Sequence, residues 1–403
     1  MTSESQSDAK ASRALAKNVV SVKKNDRKSE QICGSECACA SESKSVGKQK
    51  RESRQAYDNK QDLACKVLFV YDSKRGAQLA EQLLSCGHDV NAFIPDYATN
   101  ISLTSAPLVT DLAIALKNTH YIITLLVGPS ASEDVLLEKN GIIQQAQSGS
   151  YIVDLSVSTP RFAREMNALA AVYDCFYLDA PLCEDISCSG GTNARILLGG
   201  EEDSRAAVLG LLADLKIQVV QTGGPGTGAA SKVANIATQA SILLGLAESL
   251  AYAHDSNVSK DALFRMISTN PHRSASEIAL AKMMLDEDYN AGYPLAQFYA
   301  ELTVALDAAD EINLAMPSIE TAHQLFDLLM MIGASDRAVQ ALVLVFSEEQ
   351  QCRAQGLDWD LAQRFMDVYD PQTGDWHDNL DDNFDGIDDF DDCEHGGCGH
   401  KHN

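Results

Sequence analysis

Between Cys65 and Gln221 the chain alternates short β-branched and aromatic runs with stretches of helical period, and after Gly223 the strands stop. No other feature restricts the fold as strongly. The runs 66–71, 89–94, 121–127, 151–155, 175–179, 196–200 and 217–221 have the length and apolar content of buried strands. Between them, 74–86, 108–117, 130–138, 159–173 and 204–215 read as helices, the first capped by Asp72 and Ser73 and closed by Gly87. Strands alternating with helices of this length predict an α/β fold with a parallel, doubly wound sheet. Beyond it, 229–254, 260–268, 275–284, 295–312, 318–332 and 336–355 predict a second, all-helical domain without strands. The expected division is a polar segment 1–63, an α/β domain 64–222, a helical domain 223–368 and an acidic tail 369–403.

The two ends differ from this middle in composition. Residues 1–61 are rich in Ser, Lys, Glu and Gln with few large apolar side chains, so they cannot bury enough surface to offset ordering entropy and are expected to be disordered. They are also too polar to read as a secretory signal. Cys33, Cys37 and Cys39 lie within them, close enough to bind a soft metal but in no complete zinc motif. The tail closes with Cys393, His395, Cys398, His400 and His402 on a glycine-rich scaffold, a set suited to zinc, nickel or copper. Just before it, Asp381, Asn383, Asp385, Asp389 and Asp392 with Gly386 repeat the spacing of a calcium loop over residues 381–392, with Asp in the last place instead of Glu. The formal net charge of −25 argues against general nucleic-acid affinity, because phosphate contacts need a basic face. No apolar run reads as long enough to span a bilayer, and eleven cysteines in such a chain read as thiols or metal ligands. The expectation is a soluble, cytoplasmic protein with no membrane or nucleic-acid partner.

Gly223-Gly-Pro-Gly-Thr-Gly-Ala-Ala-Ser-Lys232 joins the two halves. Its glycines permit positive φ and close approach of another segment or a ligand to the main chain. Lys232 follows in the first turns of a long helix, where an ammonium opposes the helix dipole and so calls for a reason. A desolvated lysine that serves as acid or base is one reason, and a side chain that snorkels to solvent is the other.

Several motifs in one order resemble the β-hydroxyacid dehydrogenases, relatives of 3-hydroxyisobutyrate, tartronate-semialdehyde and 6-phosphogluconate dehydrogenases, from Cys65 to about Gln350. Asp154-Leu-Ser156 with Thr159-Pro160 resembles the substrate-binding stretch, Asp179-Ala-Pro181 the start of the next, and Gly223 to Lys232 the turn that carries the catalytic lysine. The resemblance implies a Rossmann-like domain that binds NAD or NADP, a helical domain through which two copies pair, and a small-molecule substrate. It implies Lys232 as proton donor and acceptor, Ser156 as a substrate contact with Asn235 beside the family's asparagine position at Ile236 as a second, and Ser73, Lys74, Arg75 and Gly76 at the cofactor phosphates. The pattern is also broken. Where the family has Gly-x-Gly-x-x-Gly, this chain reads Tyr71-Asp72-Ser73-Lys74-Arg75-Gly76 and keeps the last glycine. The family's Ser-Gly-Gly falls at Cys183-Glu184-Asp185, which would repel an acid substrate, and its later Lys-Asp pair falls at Ala300-Glu301.

Two readings follow. One is an NAD(P)-dependent oxidoreductase acting on a small hydroxy or oxo acid, or a related carbonyl compound, with altered specificity. The other is a retired dehydrogenase scaffold whose tails bind or sense metal. On the first, Lys232→Ala is expected to abolish turnover and leave the melting temperature nearly unchanged.

Overall fold

The computed structural model describes residues 65–98, 105–117, 119–137, 141–187, 193–347, 349–362, 369–370 and 375–376. Five parallel strands, β1 (Lys66–Tyr71), β2 (Asp89–Phe93), β3 (Tyr121–Leu125), β4 (Tyr151–Asp154) and β5 (Phe176–Asp179), form one sheet in the order β2-β1-β3-β4-β5. Strands β1, β3, β4 and β5 are mostly apolar because helices cover both faces, whereas the edge strand β2 carries the exposed Asp89 and half-buried Asn91. Register is also marked by aromatic pairs. Tyr121 lies opposite Tyr151, and Tyr151 opposite Phe176. Their rings stack at 5.6 Å and 5.0 Å across three strands.

The helices of this layer are α1 (Lys74–Ser85), α2 (Leu112–Leu116), α3 (Pro129–Leu137), α4 (Ile142–Gln145), α5 (Pro160–Val172) and α6 (Glu202–Asp214). The caps follow the chemistry of the sequence: Ser73 Oγ accepts from the Gly76 N–H, Thr159 Oγ1 from Phe162, and Gly87 turns out of α1 at φ 91°. The expected helix 108–117 is reduced to α2. Asp111 caps it at Ile114, while Leu108 pairs with Ala92 beside β2. Three further strands, β6 (Leu182–Cys183), β7 (Arg195–Gly199) and β8 (Gln218–Gly223), form a second sheet. In it β7 and β8 are parallel, whereas β6 runs antiparallel to β7. That strand is too short to leave a periodic signal.

From Gly226 the chain is helical: α7 (Thr227–Asp255), α8 (Lys260–Ser268), α9 (Ala275–Leu285), α10 (Leu295–Glu311) and α11 (Pro317–Met331). The expected helix 336–355 is instead a 3-10 stretch, Val339–Phe346, followed by α12 (Glu349–Ala354). Gln340 explains the interruption, since its buried amide donates to the carbonyls of Asp288 and Ala291. Two-residue strands β9 (Tyr369–Asp370) and β10 (Asp375–Trp376) pair in the acidic tail. The 29-residue α7 is long and apolar enough to cross a bilayer by length and composition, where the sequence reading expects no such segment. Here it is the central core helix: Ile236, Leu243, Leu246 and Leu250 are buried, and it packs against β7 and β8 as well as α10 and α11. Sequence hydropathy does not separate a core helix from a membrane helix, because both carry apolar residues around much of their circumference.

Candidate active site

The strand order reverses between β1 and β3, which in open parallel sheets opens a crevice at the C-terminal strand ends. A cavity of about 40 Å³ lies there, lined by Ser73 and Arg75 after β1, residues 125–128 at the end of β3 and just after it, Ser156 after β4, Glu184 after β6, and Glu301 of α10. This is small beside the ~300–1,000 Å³ of most small-molecule sites. An ion pair spans the cleft: Arg75 Nε lies 2.7 Å from Glu184 Oε1. On the other side of Glu184 a polar cavity of about 540 Å³ is lined by Asn235, Gln239 and Asp185, among others. Glu184 borders both cavities.

The lysine at the start of α7 has the partner its position called for. Lys232 is 1% exposed, and its Nζ donates to Glu301 Oε1 at 2.9 Å, with Glu301 itself 4% exposed. Tyr293 OH donates to the same oxygen at 2.6 Å, and Gln297 Nε2 donates to Tyr293 OH at 2.7 Å. Burial, followed by the Glu301 charge, pushes the Tyr293 hydroxyl far above its ordinary pKa, so it stays a donor. Glu301 Oε2 is buried and has no hydrogen-bond partner among the described residues. Glu301 lines the cleft, and Lys232 is not among the lining residues. Sequence reasoning treated Ala300-Glu301 as a loss. The signal that could have found Glu301 is its place on the apolar face Leu295, Phe298, Leu302, Ala305, where a lone carboxylate needs a counter-charge.

Ser156 is held by a network beneath it. Its Oγ accepts from the Leu126 N–H at 3.0 Å, and its own N–H donates to Asp154 Oδ1 at 2.9 Å. Thr124 Oγ1 and Tyr177 OH, each at 2.8 Å, complete the donors to Asp154. All four side chains are buried, so the loop after β4 is fixed by satisfied polar contacts. Nothing in the Asp154-Leu-Ser156 motif pointed to Thr124 or Tyr177, which come from neighbouring strands.

At the cofactor end, the residues replacing glycine keep their side chains out of the cradle. Tyr71 is fully buried and packs edge-to-face on Phe69. Ser73 turns its hydroxyl onto the α1 backbone. Asp72 accepts from the Val127 N–H at 2.9 Å and from Tyr97 OH at 3.3 Å. Burial raises the Asp72 pKa against these hydrogen bonds. Gly76 lies where a Cβ would stand 2.3 Å from Tyr71 Cβ, so this glycine is required for strand–helix packing. The N-terminus of α1 and the exposed Lys74 remain to meet phosphate. These residues fit a dinucleotide whose phosphates are held by a helix end and side chains. Arg75, expected at the phosphates, is paired with Glu184 instead.

The glycine-rich turn before α7 cradles the chain itself. The Gly226 and Ala229 N–H groups donate to the Asp179 carboxylate at 2.9 Å and 3.0 Å, so the start of α7 is capped by β5. Asn235 borders the larger cavity, away from Ser156. Its Nδ2 and Gln239 Oε1 are buried without partners among the described residues. Burial pushes the Asp185 pKa up, but hydrogen bonds from Ser276, Ser187 and Asn193 outweigh it and hold the carboxyl below its usual range. The expected metal ligands Cys393, His395, Cys398, His400 and His402, the calcium loop 381–392 and the Cys33 cluster lie outside the described residues. Among the described residues, no group of three or more His, Cys, Asp or Glu is placed to hold a metal.

Comparison with known proteins gives a consistent result. Residues 73–223 match the family model for the NAD binding domain of 6-phosphogluconate dehydrogenase. Residues 226–346 match the one described as NAD-binding of NADP-dependent 3-hydroxyisobutyrate dehydrogenase. An uncharacterized oxidoreductase of Bacillus subtilis is 29% identical over 277 residues, 68% of this chain and 96% of the relative. A probable mitochondrial 3-hydroxyisobutyrate dehydrogenase-like protein of Arabidopsis thaliana is 29% identical over 303 residues, 73% of this chain and 88% of its own. The solved structure of Mycobacterium tuberculosis 3-hydroxyisobutyrate dehydrogenase with L-serine superposes with a TM-score of 0.60 at 20% identity, over 71% of this chain and 100% of that one. That last likeness concerns the fold.

Proposed function

The chain belongs to the β-hydroxyacid dehydrogenases, a family of NAD(P)-dependent enzymes, and from that premise we propose that it transfers hydride between a nicotinamide cofactor and a small hydroxy or oxo compound with altered specificity. The buried Lys232–Glu301 pair beside the crevice carries this reading. A bound nicotinamide dinucleotide would supply or accept the hydride, with Lys74 and the α1 N-terminus holding its phosphates. As the substrate oxygen gains charge it needs a proton, and Lys232 is the donor. In the oxidative direction Lys232 takes the proton back. Glu301 borders the cleft and Lys232 lies behind it, so Glu301 Oε1 is read as the group that holds the Lys232 ammonium at the cleft wall. Ser156, fixed from below by Leu126 and Asp154, orients the substrate. Pairing of two copies through the helical half goes with this proposal, and the exposed Tyr252 and Ile312 are apolar surface suited to it.

The test is titration of NADH and NADPH against the full chain, followed by turnover with a panel of small oxo compounds. Saturable binding of one cofactor is expected, and Lys232→Ala should lower kcat by roughly 10²-fold or more while cofactor affinity holds. Unchanged turnover in that variant rejects the assignment.

A further inference from the structure

We propose that the cleft selects a hydroxyl or carbonyl compound bearing an ammonium group, with Glu301 as its anchor and Glu184 as the residue that excludes free acids. This rests on the preceding reading only in taking the cleft as the substrate site. Of the charged side chains lining the cavity, Glu184 and Glu301 are carboxylates and Arg75 is the one cation. Lys232 does not offset them at the wall, since its ammonium is bonded to Glu301 Oε1. Glu301 Oε2 remains a buried acceptor without a donor among the described residues, and an N–H from the substrate would satisfy it. Glu184 has a side chain only 12% exposed, and its sole ion-pair partner among the described residues is Arg75. Burial raises its pKa, Arg75 and Lys232 lower it, and Glu301 raises it, so the two carboxylates already feel each other.

The two substrate classes make different demands on this wall. An ammonium can bond Glu301 Oε2 while Lys232 keeps Oε1 and Arg75 keeps Glu184. A carboxylate finds a cation in the cleft only by drawing Arg75 away from Glu184, which leaves that carboxylate buried and unpaired. The same chemistry explains why Arg75 does not serve as an acid anchor in the parent chain. It also predicts that removing Glu184 frees Arg75 to become one.

The experiment is calorimetric titration of the full chain, without cofactor, with two probes of matched length, 3-amino-1-propanol and 3-hydroxypropanoate. The parent is expected to bind the amino alcohol at least about 10-fold more tightly. Glu184→Gln, which keeps the shape, should narrow that ratio, and Glu184→Gly should reverse it. Tighter binding of 3-hydroxypropanoate, equal binding, no measurable binding of either, or an unchanged ratio in Glu184→Gln overturns the proposal. Failure of the oxidoreductase reading would show separately, as absent cofactor binding and turnover, because the probe ratio is read without nicotinamide.

Discussion

Two glycine-bearing turns, one opening α1 and the other α7, have fared differently. The turn after β1 has lost two of its three family glycines, to Tyr71 and Ser73, while the turn before α7 keeps Gly223, Gly224, Gly226 and Gly228. The structure shows what separates them. A Cβ on Gly228 would stand 2.3 Å from the Leu197 carbonyl and 2.4 Å from that of Asp179, and one on Gly199 would meet the Asp179 carboxylate at 2.6 Å. The two backbone carbonyls against Gly228 cannot give way, and the Asp179 carboxylate against Gly199 is itself held by the start of α7. After β1 the side chains have somewhere to go: Tyr71 into the core and Ser73 onto the helix it caps. Only Gly76, pressed on Tyr71 Cβ, is held by packing there. Packing thus requires glycine at Gly76 and Gly228 and a positive φ favours it at Gly223 and Gly226, whereas Gly224 faces open space, so a glycine present or missing is a poor guide to a ligand.

The helix launched by the second turn offers the largest test. Lys232→Ala should destabilise the fold by ~3–5 kcal/mol, because it leaves Glu301 buried without its cation. This revises the expectation from sequence, in which only turnover was lost. Lys232→Ala combined with Glu301→Ala should recover much of the melting temperature and none of the turnover. A single variant that melts with the parent would show that Glu301 finds another partner, and the pair would lose its structural weight. Next in size is Gly228→Ala, expected to cost about 3 kcal/mol by overpacking against rigid backbone, measured by denaturant unfolding.

Gly76→Ala carries the comparison to the first turn, at ~1–3 kcal/mol. Its obstacle is the Tyr71 side chain and not backbone, so Tyr71→Gly should relieve it. In a double-mutant cycle the combined loss is then smaller than the sum of the two single losses. Additive losses would show that the clash lies elsewhere and would remove the distinction between the turns.

The architecture could be read from the sequence because its signals are local: a β-branched run, a cap, a closing glycine. Ser73 and Gly87 bound α1 as their chemistry predicts. Where the reading failed, the cause acts across the fold. Gln340 breaks a helix through bonds to Asp288 and Ala291, about fifty residues away. The site was legible in Lys232 and Ser156 but not in their partners, since Glu301 lies 69 residues from Lys232 and Tyr177 reaches Asp154 from the next strand. Arg75 shows the same limit: its charge suited a phosphate, and a carboxylate on a different loop claimed it.

The smallest effect tests whether Ser73 is purely a cap or also a phosphate ligand. Its Oγ accepts from the Gly76 N–H at 3.3 Å, a long bond whose donor could be given up to a ligand. Ser73→Gly restores the residue the family has in this place and should cost only a few tenths of a kcal/mol, whereas Ser73→Ala should cost about 1 kcal/mol. Glycine at this position is allowed but not demanded, so Ser73→Gly should bind NADH or NADPH at least as tightly as the parent. Ser73→Ala, which removes the hydroxyl and keeps the Cβ, should bind no more tightly. If Ser73→Gly instead weakens cofactor binding several-fold while the melting temperature holds, the hydroxyl itself holds phosphate. The serine would then be a replacement for the glycine's function, and not a residue tolerated in its absence.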